Sequence, residues 1–200
     1  MSHEPTIDAA VAAVEAGRLV VFPTDTVYGI GARPDDPRAT AAVFAAKGRP
    51  RDLVLPVLVG SEGEARRLAV FDERAARLAA AYWPGALTIV LPRTGLVRGW
   101  DLGGDGGSVG LRLPDHPIAM ELLRRTGPLA VTSANRSGEP PAGRLDTLVA
   151  AFGDRVAVYL VADESHAGSA STVVDLTGPE ASILRHGDLE TADVLALAHR

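Results

Sequence analysis

The residues able to do chemistry fall in short, separated groups. Lys47-Gly48-Arg49 sets two cations around a glycine. Backbone can then approach a phosphate while the arginine offers a planar fork and the lysine a point charge, a combination that suits a triphosphate. The same three residues also fit a solvated helix end, where cations meet the negative end of the helix dipole. Thr132-Ser133-Ala134-Asn135 follows the apolar run Leu129-Ala130-Val131. This places hydroxyls and an amide at a strand end, where open α/β sheets bind ligands. An ordinary turn is the alternative, because Ser and Asn bond their own backbone readily. Ser108 and Arg112 lie four apart on an expected strand and so share a face. An arginine there could grip a carboxylate with both arms, or be an exposed, salt-bridged side chain. Arg185, after Ile183-Leu184 and before His186-Gly187, is a second guanidinium for phosphate charge.

Other chemistries are excluded or unsupported. With no cysteine there is no disulfide framework, thiolate metal site or cysteine nucleophile. His3, His116, His166, His186 and His199 show neither HxxxH nor HxH spacing, which argues against zinc. There is no GxSxG elbow, Walker A sequence or GxGxxG after a strand, and Gly103-Gly104-Asp105-Gly106-Gly107 reads as a flexible loop. A formal net charge of −5 argues against a surface that grips nucleic acid throughout, so any anion site must be local.

The elements that must hold these groups are read from periodicity and breakers. Helices are expected over Thr6–Glu15, Ala39–Ala46, Ser61–Ala69, Asp72–Tyr82, His116–Arg125, Leu145–Phe152 and Thr191–Ala198. Strands are expected over Leu19–Phe22, Leu53–Val59 (interrupted by Pro56), Ala86–Leu91, Ser108–Leu113, Leu129–Val131, Val156–Val161, Ser171–Leu176 and Ser182–Arg185. Thr24–Gly31 reads as a loop fed by the first strand, and Gly99–Gly107 as a mobile surface loop. Interleaved strands and helices with several strand-to-strand passages predict an α/β or α+β fold around a mixed, twisted sheet. At 200 residues, without an internal repeat or a long linker, one domain over 1–200 is expected. The polar stretch Met1 to Asp8 and the lack of any run near the roughly 18 apolar residues a membrane helix needs predict a soluble, unexported protein, and the missing cysteines suit the cytoplasm.

Taken in order, Pro23-Thr24-Asp25-Thr26-Val27-Tyr28-Gly29, Lys47-Gly48-Arg49-Pro50, Ser108-Val109-Gly110-Leu111-Arg112-Leu113-Pro114 and Thr132-Ser133-Ala134-Asn135-Arg136-Ser137-Gly138 resemble the YrdC/TsaC family of threonylcarbamoyl-AMP synthases. Ser171-Thr172-Val173-Val174-Asp175 and Ile183-Leu184-Arg185-His186-Gly187 look like its two C-terminal motifs, extending the resemblance over about Ala9–Leu189 in the short, single-domain form. The resemblance implies a YrdC-like twisted sheet lining a concave, positively charged cleft. It implies that L-threonine, bicarbonate and ATP with Mg²⁺ yield threonylcarbamoyl-AMP and pyrophosphate, the first step of N6-threonylcarbamoyladenosine formation on tRNA. The product would pass to a separate tRNA threonylcarbamoyl-transferase complex, with at most weak tRNA contact by this chain. By the same resemblance Lys47, Arg49, Ser108, Asn135 and Arg185 would hold ATP, Thr26, Ser133 and Ser171 would surround threonine, and Arg112 would fork its carboxylate. No protein nucleophile and no protein metal ligand is implied. Leu58 stands where relatives sometimes carry a histidine, so a side-chain contact to threonine expected there is missing, and Arg136 replaces a frequent apolar residue. An RNA-binding module using the same basic cleft, or a related carbamoyl-adenylate-forming domain, are the competing readings; scarce aromatics and absent cysteines weigh against them.

Overall fold

The computed structural model describes residues 6–161 and 168–199, so His3 and His166 of the histidine reading lie outside the described residues. Helices α1 (Ile7–Glu15), α2 (Pro37–Lys47), α3 (Glu62–Leu68), α4 (Glu73–Tyr82), α5 (Pro117–Thr126), α6 (Leu145–Phe152) and α7 (Thr191–Ala198) flank one sheet. Its strands are β1 (Leu19–Phe22), β2 (Gly29–Ala32), β3 (Val57–Leu58), β4 (Leu87–Pro92), β5 (Ser108–Arg112), β6 (Leu129–Ser133), β7 (Val156–Tyr159), β8 (Thr172–Asp175) and β9 (Ser182–Arg185). They lie in the order β7-β1-β2-β6-β3-β5-β4-β8-β9. The pairs β1/β7, β3/β5 and β4/β8 are parallel and the rest antiparallel, so the sheet is mixed as expected.

Local sequence explains the helix ends that matter for the site. Asp36 caps α2 by accepting from the amides of Arg38 and Ala39, Pro37 opens it, and Gly48 closes it in the left-handed region at φ 62°. That left-handed glycine turns the chain sharply after Lys47, with Arg49 N donating back to Phe44 O at 3.0 Å, which fixes where Arg49 emerges. Alternation along β1 divides the core: Val20 and Phe22 pack with α1 and α5 on one face, Leu19 and Val21 with the larger cluster on the other. Leu55, Leu87, Ile89 and Leu111 are fully buried in that larger cluster, each contributing about 1.5–3 kcal/mol.

Three expectations are corrected. Thr24–Gly31 is not all loop, because Gly29–Ala32 forms β2, antiparallel to both β1 and β6. Its glycines give no hydropathy signal, yet they are required by packing: a Cβ at Gly29 or Gly31 would meet the Val131 methyls at 2.7 and 2.8 Å. The strand expected over Leu53–Val59 shrinks to Val57–Leu58, since Pro56 cannot donate to a ladder. The Gly99–Gly107 stretch is pinned and not a free surface loop. Leu102 is fully buried and its carbonyl accepts from Leu55 N at 2.8 Å, Gly104 N donates to Arg51 O at 2.8 Å, and the side chains of Arg51 and Asp101 form an ion pair. Buried Arg93 donates from beneath to Ser108 O at 2.7 Å and Trp100 O at 2.8 Å.

Candidate active site

The motifs converge on two adjoining cavities on one face of the sheet. The smaller, of about 100 Å³, lies between the turn after β1, the end of β6 and the approach to β8; Thr26, Arg112, Ser133 and Ser171 line it. The larger, of about 410 Å³, lies over β4, β5 and β8, where Ser108, Gly110, Leu53 and Leu184 line it. Arg49, Pro56, Thr88 and Arg185 line both and so form the wall between them. A cavity of about 470 Å³ at the opposite end of β2 and β6, between α1, α3 and α5, contains none of the motif residues.

The turn Pro23–Tyr28 is built by Thr24. Its hydroxyl donates to Val27 O at 2.6 Å and accepts from the amides of Thr26 and Val27, both at 3.3 Å. This presents Thr26 Oγ1 to Arg112 Nη1 at 2.8 Å and Asp25 Oδ1 to Arg112 Nη2 at 2.6 Å, while Arg112 Nε donates to Gly85 O at 3.0 Å. Burial pushes the Arg112 guanidinium below its ordinary pKa, and the Asp25 charge pulls back. Arg112 is thus a fixed cation whose fork already engages Thr26 and Asp25.

Arg49 and Arg185 are less enclosed by partners. Arg49 donates to Leu53 O and Val54 O, both at 3.2 Å, and Arg185 donates to Ser171 O at 2.9 Å and Ser171 Oγ at 2.8 Å. Neither makes an ion pair with a carboxylate among the described residues. Burial lowers the pKa of both, and Arg112 and Arg49 lower that of Arg185 further by repulsion. Three guanidiniums held this close favour an anionic ligand between them.

Lys47 and Asn135 are brought together at the end of β6, and neither lines either of these two cavities. Lys47, 4% exposed, donates to Ser133 O at 2.5 Å, Asn135 O at 2.8 Å and Asn135 Oδ1 at 3.2 Å. Burial, with a smaller repulsion from Arg49, pushes the ammonium down to about 8. The Asn135 amide donates to Arg136 O at 2.8 Å and Glu139 O at 2.6 Å. Lys47 therefore ties the end of α2 to the loop after β6 and sets the Ser133 backbone against the small cavity.

Sequence reasoning passed over Asp25 and Thr88 as site-building side chains, and took Leu58 only as a lost contact. Asp25 stood inside a quoted motif, but its partner is 87 residues away. Thr88 reads as one more β-former in an apolar strand. Leu58 lines the small cavity with Val131, supplying apolar surface where the sequence suggested only a lost polar contact. No group of three or more His, Asp or Glu residues able to hold a metal occurs among the described residues. No helix among them is long and apolar enough to cross a membrane.

Fold and site together define an α/β protein with a small and a larger cavity that meet at two arginines. The chain belongs to the Sua5/YciO/YrdC family, whose model, described as telomere recombination, it matches over residues 12–187. A Mycobacterium tuberculosis (strain H37Rv) protein provisionally named threonylcarbamoyl-AMP synthase is 48% identical over 195 residues, covering 96% of this chain and 89% of that protein. The threonylcarbamoyl-AMP synthase of Pyrococcus abyssi (strain GE5 / Orsay) is 37% identical over 96% of this chain and 57% of its own length. The crystal structure of P. abyssi Sua5 complexed with L-threonine superposes with a TM-score of 0.89 at 36% identity, covering 96% of this chain and 56% of that one. This chain thus spans a little over half of the archaeal relative.

Proposed function

We propose that this protein is a threonylcarbamoyl-AMP synthase of the cytoplasm, acting as one domain over 1–200. The observation that carries the reading is the shared wall: a cavity of about 100 Å³, matched to a small amino acid, meets one of about 410 Å³, matched to a nucleotide, at Arg49 and Arg185. The relatives' names supply the reaction, and two adjoining cavities of unequal size suit an amino acid beside a nucleotide.

Threonine's amine and bicarbonate give a carbamate and water. A carbamate oxygen then attacks the α-phosphorus of ATP, forming the mixed anhydride as the bond to pyrophosphate breaks. Such a step needs alignment and charge neutralisation, not a protein nucleophile. Thr26, Ser133 and Ser171 surround the amino acid in the small cavity. Arg112, clamped by Asp25, supplies the cation for its carboxylate through the guanidinium hydrogens not spent on the turn. Arg49 and Arg185 neutralise the phosphates, with Ser108 on the floor of the nucleotide cavity. Lys47 and Asn135 act one layer back, by bracing the end of β6 that lines the small cavity. Mg²⁺ arrives as part of the nucleotide substrate, carried on phosphate oxygens. The adenylate is labile, so it passes to a separate transferase complex that modifies tRNA.

The test is pyrophosphate release from purified protein given ATP, Mg²⁺, bicarbonate and one amino acid at a time. Release that requires both threonine and bicarbonate supports the reading. Release with serine alone reassigns the substrate, and no release from folded protein with any amino acid removes the enzyme reading.

A further inference from the structure

Thr88 belongs to no motif singled out in the sequence, yet among the described residues it is the one hydroxyl residue that lines both cavities. It is 3% exposed and is the second residue of β4, opposite Val173 of β8. Packing alone at such a position is served as well by valine, which has the same shape without a polar atom to bury. The Thr88 methyl fills the space left by Gly110, where an added Cβ would come within 3.2 Å of it. With the methyl so seated, Thr88 Oγ1 lies 2.8 Å from Ser171 Oγ.

The hydrogens of this pair can be counted. Arg185 Nη2 is only a donor, so Ser171 Oγ accepts from it at 2.8 Å. Two hydroxyls carry two hydrogens, and the Thr88–Ser171 bond uses one of them. The other is left to point into the cavities. When Thr88 donates, Ser171 presents the free O–H to the small cavity; when Ser171 donates, Thr88 presents it at the boundary.

The geometry points to Thr88 as a further residue of the site: with Ser171 it supplies a single O–H donor to the anion held between Arg49 and Arg185, where amino-acid and nucleotide ligands meet. The inference rests on the proposed synthase reading for what that anion is, a carbamate about to join the α-phosphoryl group. Thr88 acts on the ligand partly through Ser171, whose hydroxyl it orients.

The experiment is a double-mutant cycle of Thr88→Val and Ser171→Ala, with steady-state kinetics for threonine and separate calorimetry of ATP binding. Thr88→Val is expected to lower kcat/KM for threonine roughly five- to tenfold, the range of one neutral hydrogen bond, with ATP binding in the absence of threonine weakened by less than that. Thr88→Ser, which keeps the hydroxyl, should restore most of the loss. In the Ser171→Ala background Thr88 carries the last O–H of the pair, so Thr88→Val should cost more there than in the wild type. Full additivity, equal loss in Thr88→Ser, or no loss in Thr88→Val would overturn the inference. If Thr88→Val does not fold, Thr88→Ser against Thr88→Ala makes the same comparison, since both lack the methyl and differ in the hydroxyl. A wild-type protein that makes no adenylate would refute the synthase reading instead, which keeps the two failures apart.

Discussion

Replacing Asp25 by alanine strands the Arg112 cation. The pair is 2.6 Å apart, and its side chains are only 7% and 16% exposed, so solvent screens it weakly. Asp25 Oδ1 also accepts from Asp115 N at 3.1 Å, and that bond disappears with it. Removing one member of a buried pair leaves an uncompensated charge, at a cost of about 3–5 kcal/mol. With a urea slope of about 2 kcal/mol/M for a chain of this size, the unfolding midpoint should fall by roughly 1.5–2.5 M. Asp25→Asn keeps an acceptor while deleting the charge, and should lose less. The double variant Asp25→Ala with Arg112→Met removes both charges and should recover stability relative to Asp25→Ala alone. The assay is urea unfolding followed by circular dichroism, with threonine binding measured on each folded variant. A midpoint shift below about 0.5 M for Asp25→Ala would refute the view that Asp25 fixes Arg112, because no buried pair loses a partner that cheaply.

Lys47 gives a prediction in pH. Its folded pKa of about 8 lies below the ordinary lysine value near 10.4, so between those pH values the unfolded chain binds more protons than the folded one. The wild type should therefore gain stability relative to Lys47→Met as pH rises from about 8 to 10.5, by up to about 3 kcal/mol; a flat difference in unfolding free energy would contradict this. Gly168 lies against the Thr26 backbone, where an added Cβ would overlap the carbonyl. Gly168→Ala should push this segment off the small cavity and lower kcat/KM for threonine about 10- to 100-fold, with ATP binding little changed in calorimetry. Leu58→Ala removes apolar wall from the small cavity and should cut the preference for threonine over serine by up to about tenfold in competition assays, at a stability cost of about 2–5 kcal/mol.

The sequence revealed what local chemistry controls. The Asp36-Pro37 start and Lys47-Gly48 end of α2 are readable because capping needs only neighbouring residues. The mixed sheet follows from the alternation of apolar runs and helical periods. The strand β2 was hidden because its glycines carry no pattern and its pairing depends on Val131, about a hundred residues on. The order of Gly99–Gly107 comes from Arg93, Arg51 and Leu55 reaching it from elsewhere, against its glycine content. In the site, Arg49, Arg112, Arg185, Thr26, Ser133, Ser171 and Ser108 all reach the cavities. Lys47 and Asn135 are placed one layer back, since three carbonyl-type acceptors surround the ammonium. Thr88 and Asp25 gain their meaning only from partners that folding brings to them.

The most direct test of the account is mass detection of the product formed from ATP, threonine and ¹³C-labelled bicarbonate. The account predicts a threonylcarbamoyl-adenylate that carries the label, appears together with pyrophosphate, and falls away when Arg49 or Arg185 is replaced by alanine in protein that still folds. An adenylate without the label, or labelled product unaffected by either replacement, would contradict it.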